Sequence, residues 1–185
     1  MSASDDELYH SYLSGNNSAY DELMIRYGDN LTCYLKGFLR SIEDAEDLMI
    51  ESFARIMVKK PKIKEGNFKA YLFRVAHNLV SQLYKKEKRL EVFSLDDFDE
   101  DVVSDTESFE ELLFDDERKK ALHRCLERLE PDLREAVWLV YFENMKYDQA
   151  AEIMKVNRKK IDNILSRAKT VLRKEMETEG YTGFN

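Results

Sequence analysis

Along nearly all of this chain apolar side chains return every three or four residues, and only two prolines, Pro61 and Pro131, interrupt the pattern. That spacing places the apolar residues of each segment on one stripe of an α-helix, so the core must be made by helices packing on helices. The pattern runs from Asp5 to Leu13, then from Ser18 to Leu39 with Tyr20, Leu23, Met24, Tyr27, Leu31, Tyr34, Leu35 and Phe38 as core positions. Ser41 before Ile42, Glu43 and Asp44 resembles a capping box with Asp in the Glu position. The helix it starts carries Ala45, Leu48, Met49, Phe53 and Ile56 on its apolar side, and Pro61 stops it. A longer run follows, with Phe68, Tyr71, Leu72, Val75, Leu79 and Leu83 in phase, reaching Arg89.

Residues 91–106 lack that periodicity and read as a linker, which divides a chain whose length alone allows one domain or two small ones. Helical spacing resumes at Phe109 through Leu112, Leu113, Ala121, Leu122, Cys125 and Leu129. Pro131 sits at the first turn of the next helix, which carries Leu133, Val137, Trp138, Val140 and Tyr141. Two short patterns then flank Lys155, Val156 and Asn157: Tyr147 to Met154, and a second, capped by Asn157, that buries Ile161, Ile164, Leu165, Ala168 and Leu172. This spacing predicts a helix-turn-helix whose second member has the width of a DNA major groove. A helical hairpin with a basic second member would give the same pattern.

The net charge of -8 argues against a nucleic-acid partner until its distribution is read. Residues 91–117 hold 13 acids and no base, whereas residues 59–90 hold 10 bases against 2 acids. From Lys155 to Lys174 there are eight bases and the single acid Asp162. Two basic islands thus flank an acidic linker, although each alone would also suit a solvated helix face. Cys33 and Cys125 lie far apart, no secretory segment opens the chain, and the apolar runs fall short of the ~20 residues that span a membrane. The expectation is a cytoplasmic protein with free thiols and no membrane insertion. His10, His77 and His123 are scattered, and no phosphate loop, paired carboxylates or nucleophile arrangement stands out, so neither enzyme activity nor a cofactor or metal is expected.

These residues together resemble the sigma-70 family of bacterial transcription initiation factors, in its small extracytoplasmic-function type. The resemblance implies an all-α fold of two small helical domains: a sigma-2-like bundle over residues 1–90 and a sigma-4-like helix-turn-helix domain over 109–178. An acidic linker, 91–108, would join them, and 179–185 would be a short mobile tail. DAEDLMIESFARIM, from Asp44, looks like region 2.2, which makes Asp44, Asp47, Glu51 and Phe53 candidate contacts to the beta-prime clamp helices of core RNA polymerase. Phe53 has an equal reading as core. FKAYLFRVAHNLVSQLYKKEKR, from Phe68, looks like regions 2.3 and 2.4, which hold the melted minus-ten strand. By that resemblance Lys69, Arg74, His77, Asn78, Gln82, Lys85 and Lys86 are strand contacts and Tyr84 a stacking residue, while Tyr71 is assigned to the core. The segment Lys62 to Asn67 would shape the pocket for a flipped base. His77 has no ligand partner in the pattern.

The stretch from Leu126 to Met176 looks like region 4, making Arg158, Lys159, Lys160, Asn163 and Arg167 minus-thirty-five candidates, with Lys169 and Arg173 nearer phosphate or solvent. Several positions depart from the family's habit. Gln82 stands where Asp is common, Tyr71 where Trp is common, Lys155 where Gly starts the inter-helix turn, and Lys146 where a Ser or Thr cap is usual. The implied partners are core RNA polymerase, through its clamp helices and beta flap, promoter DNA, and an anti-sigma factor. The acidic linker would suit a basic channel of the polymerase. The alternatives are a helix-turn-helix regulator that binds duplex DNA without polymerase, and a sigma-like interaction protein.

Overall fold

The computed structural model describes residues 3–91 and 117–181, and among these the chain is helical throughout, without a strand. The predicted linker, and the start of the second domain at Phe109, lie outside the described residues. The described residues belong to two compact units, 3–91 to the first and 117–181 to the second.

The first unit packs α1 (Asp5–Leu13), α2 (Asn17–Lys36), α3 (Ile42–Lys59) and α4 (Phe68–Glu91). Helix α1 starts with a full capping box: Ser4 Oγ accepts from Glu7 N–H at 3.2 Å, and the Glu7 carboxylate accepts from Ser4 N–H at 2.7 Å. Helix α3 is capped by Ser41, whose hydroxyl accepts from Asp44 N–H at 3.0 Å, and it ends at Lys60 in a left-handed conformation just before Pro61. Helix α2 stops at Lys36, three residues before the predicted end. Gly37 is a poor helix residue, and the free Phe38 carbonyl is taken by the hydroxyl of Tyr84.

The core of this unit is built on α2 and aromatic rings. Leu23, Leu31, Leu35, Leu72 and Phe73 are fully enclosed, with Phe53 and Phe68 beside Tyr9, Tyr12 and Tyr20. Each such side chain contributes about 1.5–3 kcal/mol on burial. Buried tyrosines need a partner for the hydroxyl, and here the partners are backbone carbonyls. Tyr20 donates to Phe53 O at 2.6 Å, Tyr12 to Met57 O at 2.9 Å and Tyr9 to Pro61 O at 2.8 Å. On α4 the buried face is turned from the predicted one. Phe73, Ala76 and Val80 lie inside, whereas Tyr71, Val75 and Leu83 are only half-buried.

In the second unit α5 (Glu117–Glu127), α6 (Pro131–Val137) and α7 (Tyr147–Met154) pack around α8 (Arg158–Thr178). The predicted helix after Pro131 does not run through as one α-helix. At Trp138–Phe142 it widens into a π-helical turn, with Glu143 N–H bonded to Trp138 O at 3.0 Å and the Trp138 and Phe142 rings stacked 4.8 Å apart. The polypeptide from Glu179 to Tyr181 folds back on the end of α8. Gly180, at φ +89°, allows Tyr181 N–H to reach Met176 O and Gly180 N–H to reach Glu177 O, a Schellman cap on α8. Tyr181 then packs on the buried group of Ala121, Cys125 and Met176. Residues 182–185 are outside the described set.

Candidate nucleic-acid interface

Three helix faces carry the candidate residues. On α4, the side opposite the buried stripe presents Arg74, Asn78, Gln82 and Lys85 at three- and four-residue spacing. Arg74 and Asn78 are half-buried at their bases, while Gln82, Lys85 and Lys86 are exposed. Tyr71 lies on this same side, with the Arg74 guanidinium 4.8 Å from its ring centroid. Its assignment to the core is therefore corrected: packing against α2 and α3 selects Leu72 and Phe73 for full burial, and Tyr71 is left half-buried at the edge of the core. His77 and Tyr84 lie on the flank of the stripe, and Tyr84 is 48% exposed although its hydroxyl is tied to Phe38 O. Lys69, at the start of α4, sits 5.8 Å from the Tyr27 ring centroid.

The neighbouring face of α3 is acidic. Asp44, Asp47 and Glu51 are exposed along it, with Ile50 exposed between them. Phe53 is different: it is 1% exposed and meets Tyr20 edge-on at 5.8 Å. Its reading as a surface contact is corrected, because a ring enclosed in the α2–α3 core reaches no partner. Arg55 links the two faces. Its Nε donates to Glu51 at 2.8 Å and its Nη1 to the side-chain oxygen of Gln82 at 3.3 Å. Arginine is a donor only, so this bond turns the Gln82 carbonyl toward Arg55 and leaves its NH2 facing away from it.

The third face is on α8. The helix starts where Asn157 Oδ1 accepts from Lys160 N–H at 2.8 Å, as the sequence predicts. Arg158, Lys159, Lys160, Asn163, Arg167, Lys169 and Arg173 are all exposed, while Ile161, Ile164, Leu165 and Ala168 are buried. Midway between the cations, Ser166 and Thr170 also face out, two hydroxyls that a search for charge overlooked. Helix α7 comes close through Ala150 and Ala151, whose small side chains are buried. Lys155 makes the turn in a left-handed conformation, φ 55°. The predicted missing cap on α7 is partly supplied, because Gln149 Oε1 accepts from Lys146 N–H at 3.0 Å.

Several of these cations are already engaged. Arg158 meets Asp148 at 3.2 Å, and Arg167 meets Glu130 at 3.2 Å, all four groups being solvent-exposed. Lys169 is held against Tyr141, 5.5 Å from the ring centroid, and the bond to the Tyr141 hydroxyl raises its pKa. Lys169 is thus drawn aside from the middle of the face. Among the described residues no cluster of His, Cys, Asp and Glu has the makings of a metal site, and no helix is long and apolar enough to cross a membrane.

The family model described as Sigma-70 region 2 matches residues 23–90, and that described as Sigma-70, region 4 matches 119–172, together about two thirds of the chain. The chain is 24% identical over 155 residues to the ECF RNA polymerase sigma factor SigE of Mycolicibacterium smegmatis, covering 84% of this chain and 60% of that protein. It is 23% identical over 181 residues to the RNA polymerase sigma-H factor of Pseudomonas aeruginosa, covering 94% of each. To the ECF RNA polymerase sigma factor SigM of Bacillus subtilis it is 27% identical, covering 83% of this chain and 92% of the relative. Among solved structures, the sigma factor RpoE in complex with the anti-sigma factor NepR, from Bartonella quintana, aligns with a TM-score of 0.66 at 25% identity, covering 85% of this chain and 96% of that one. The structure of CnrH with the cytosolic domain of CnrY aligns at 0.65 and 21% identity over 94% and 97%, a likeness of fold.

Proposed function

The chain belongs to the sigma-70 family, in its extracytoplasmic-function group, and we propose how its parts divide the work of transcription initiation. Residues 1–90 form the domain that docks on core RNA polymerase and captures the melted minus-ten strand. Residues 109–178 form the domain that reads the minus-thirty-five duplex, with 91–108 as the connection. The protein acts by binding, without chemistry of its own, in the cytoplasm where polymerase and promoters are.

The observation that carries this reading is the pairing of faces on α3 and α4. An exposed acidic row, Asp44, Asp47 and Glu51, repels DNA and calls for a basic protein partner, for which the polymerase clamp helices are the candidate. Beside it, Tyr71, Arg74, Asn78, Gln82 and Lys85 interleave a ring, amides and cations, the combination that suits unpaired bases: stacking for the π-face, amides for base edges, cations for phosphate. Lys69 and Lys86 extend the cationic border, His77 adds an imidazole beside it, and Tyr84 adds a second exposed ring. In the other unit α8 enters the major groove, with Lys159, Asn163, Ser166 and Thr170 at the centre and Arg158, Lys160, Arg167 and Arg173 toward the phosphates. The beta flap is the candidate polymerase contact of this domain.

RpoE of B. quintana is seen with an anti-sigma factor and CnrH with the cytosolic domain of CnrY. A partner of that kind is proposed here as well, covering the faces that would otherwise meet polymerase. The test is run-off transcription of genomic fragments with bacterial core polymerase and this protein, followed by sequencing. Transcripts sharing two spaced upstream elements are expected. Core binding without initiation, or duplex binding with no need of core, would overturn the proposal.

A further inference from the structure

Polar groups of α1 tie it to the end of α3 and to the segment that follows, besides the bonds of Asp5 to α2. Tyr12 Oη donates to Met57 O at 2.9 Å, Tyr9 Oη donates to Pro61 O at 2.8 Å, and Gly66 N–H donates to both carboxylate oxygens of Asp6, at 2.8 and 3.1 Å. The last bond is charge-assisted, which makes it the strongest class of the three. Lys60, whose backbone takes the left-handed conformation, places its ammonium 5.1 Å from the Tyr12 ring centroid. The far end of the segment is held from the same side. Phe68, the first residue of α4, packs 5.4 Å from Tyr9 and 6.2 Å from Tyr27, ring centroid to centroid. Tyr27 donates its hydroxyl to Asp5, which also pairs with Arg26 at 2.6 Å, and the Tyr27 ring carries Lys69.

This arrangement exceeds what packing two helices requires. Residues 62, 64, 65 and 66 are exposed and Ile63 is half-buried, so apolar burial anchors the segment at one side chain only in its middle and leaves residues 64–66 to polar ties. Gly66 sits at φ +72°, which glycine adopts without strain, in a turn closed by Asn67 N–H to Lys64 O at 3.0 Å, and the Asp6 carboxylate ties that turn to α1 from outside it. We propose that α1 is a positioning element for residues 62–67, with Asp6 as its latch, and that the latch sets which unpaired base the first domain accepts. The proposal rests on the reading of this segment as a wall of the single-strand pocket.

The test uses the full chain with core polymerase on a promoter library randomised across the minus-ten element, comparing wild type with Asp6→Ala, Asp6→Asn and Tyr9→Phe. Asp6→Ala should flatten the preference at one minus-ten position by roughly tenfold, the equivalent of one lost bond of this class, with other positions and the minus-thirty-five preference intact. Asp6→Asn should keep most of the preference, since its amide oxygen still accepts from Gly66 N–H. Tyr9→Phe, which keeps the ring and loses only the hydroxyl, should fall between. Hydrogen exchange on the free protein supplies the second readout: the Gly66 amide should exchange roughly tenfold faster in Asp6→Ala. A uniform fall in transcription with base preferences unchanged, or an unaltered Gly66 exchange rate, overturns the latch. A wild type that selects no minus-ten base overturns the pocket reading, and the Gly66 rate, measured without polymerase or DNA, keeps that failure distinct from failure of the latch.

Discussion

Both units carry charged contacts between distant residues, Asp5–Arg26 and Asp6–Gly66 in the first among them, and the first adds a set of enclosed tyrosine bonds. In the first, neutral tyrosine hydroxyls reach across helices to backbone carbonyls inside an aromatic core, Tyr20 to Phe53 O being the most enclosed. In the second, α5 is clamped to the end of α8 by charge. Arg124 meets Glu179 at 2.9 Å, and Arg128 meets Glu175 at 3.3 Å and Glu179 at 3.0 Å. A hydroxyl bond in an apolar setting is indifferent to salt, whereas exposed ion pairs contribute about 0–1 kcal/mol each and are screened. The first unit is accordingly built to hold one geometry. The second carries arginines held by weak, screened pairs, which the proposed duplex contact could exchange for phosphate.

The largest expected effect tests whether these are two separate stabilities. Phe53→Ala should cost the first unit about 3–5 kcal/mol, because the ring is enclosed by Tyr20 and the α2–α3 interface. The chain's one tryptophan, Trp138, lies in the other unit, so its fluorescence reports that unit alone. The variant should lose part of its helical circular dichroism at low denaturant while the Trp138 transition stays in place. A Trp138 transition that moves with it would break the comparison, since the units would then share stability.

The pH extremes should separate the units next. Burial pushes the Tyr9 hydroxyl from 10.0 up to about 12, and Tyr20 higher still, so the folded first unit favours the neutral ring. The stability from this is complete below the unfolded value near 10 and is lost as pH rises past it. In the second unit, the hydrogen bond from Arg124 holds the Glu179 carboxyl below its ordinary range. That contribution is present above 4.5 and lost as pH falls through the depressed value. The Glu7 cap on α1 is depressed as well, chiefly by the Ser4 backbone bond, and burial raises Cys125, so each unit has a minor response at its opposite extreme. Tyrosinate absorbance should therefore rise together with loss of first-unit helix in base, and Trp138 fluorescence should change first in acid.

Much of this was legible in the sequence where a stripe meets a cap. Asp5–Leu13 and Tyr147–Met154 lie where apolar spacing places them, and α8 starts at the Asn157 cap that the sequence shows. The facing of Tyr71 was not legible, because Phe68, Tyr71, Leu72, Phe73 and Val75 spread apolar groups over much of one helix circumference. Only the neighbouring helices decide which part is covered. The π-helical turn at Trp138 also gave no signal in three- and four-residue spacing. The cation pairs on α8 were hidden for another reason: Glu130 and Asp148 are distant in sequence from Arg167 and Arg158. Lys155 was legible as a departure, and the structure assigns it a strained φ of 55°. Lys155→Gly should relieve that strain and raise the second unit's midpoint by the equivalent of up to about 1 kcal/mol, read from Trp138 on thermal unfolding, with the first unit unmoved.

The smallest expected effect lies on the DNA face itself. Arg167 and Glu130 are exposed by 58% and 65%, so their pairing at 3.2 Å is weak, yet duplex binding must break it before the guanidinium reaches phosphate. Glu130→Gln should therefore tighten holoenzyme binding to a minus-thirty-five duplex by about two- to fivefold, the equivalent of less than 1 kcal/mol. It should also steepen the salt dependence by up to about one ion, since the freed arginine now displaces a counterion that the glutamate had replaced. Removing a negative charge near DNA would tighten binding in any case, so the discriminating variant is Glu130→Gln combined with Arg167→Gln. If the gain disappears in the double variant, Arg167 carries it and the loosely held pair is a reserve for DNA. If the gain survives, the second unit's arginines are not held in check by their acids, and the contrast between the two units is confined to their cores.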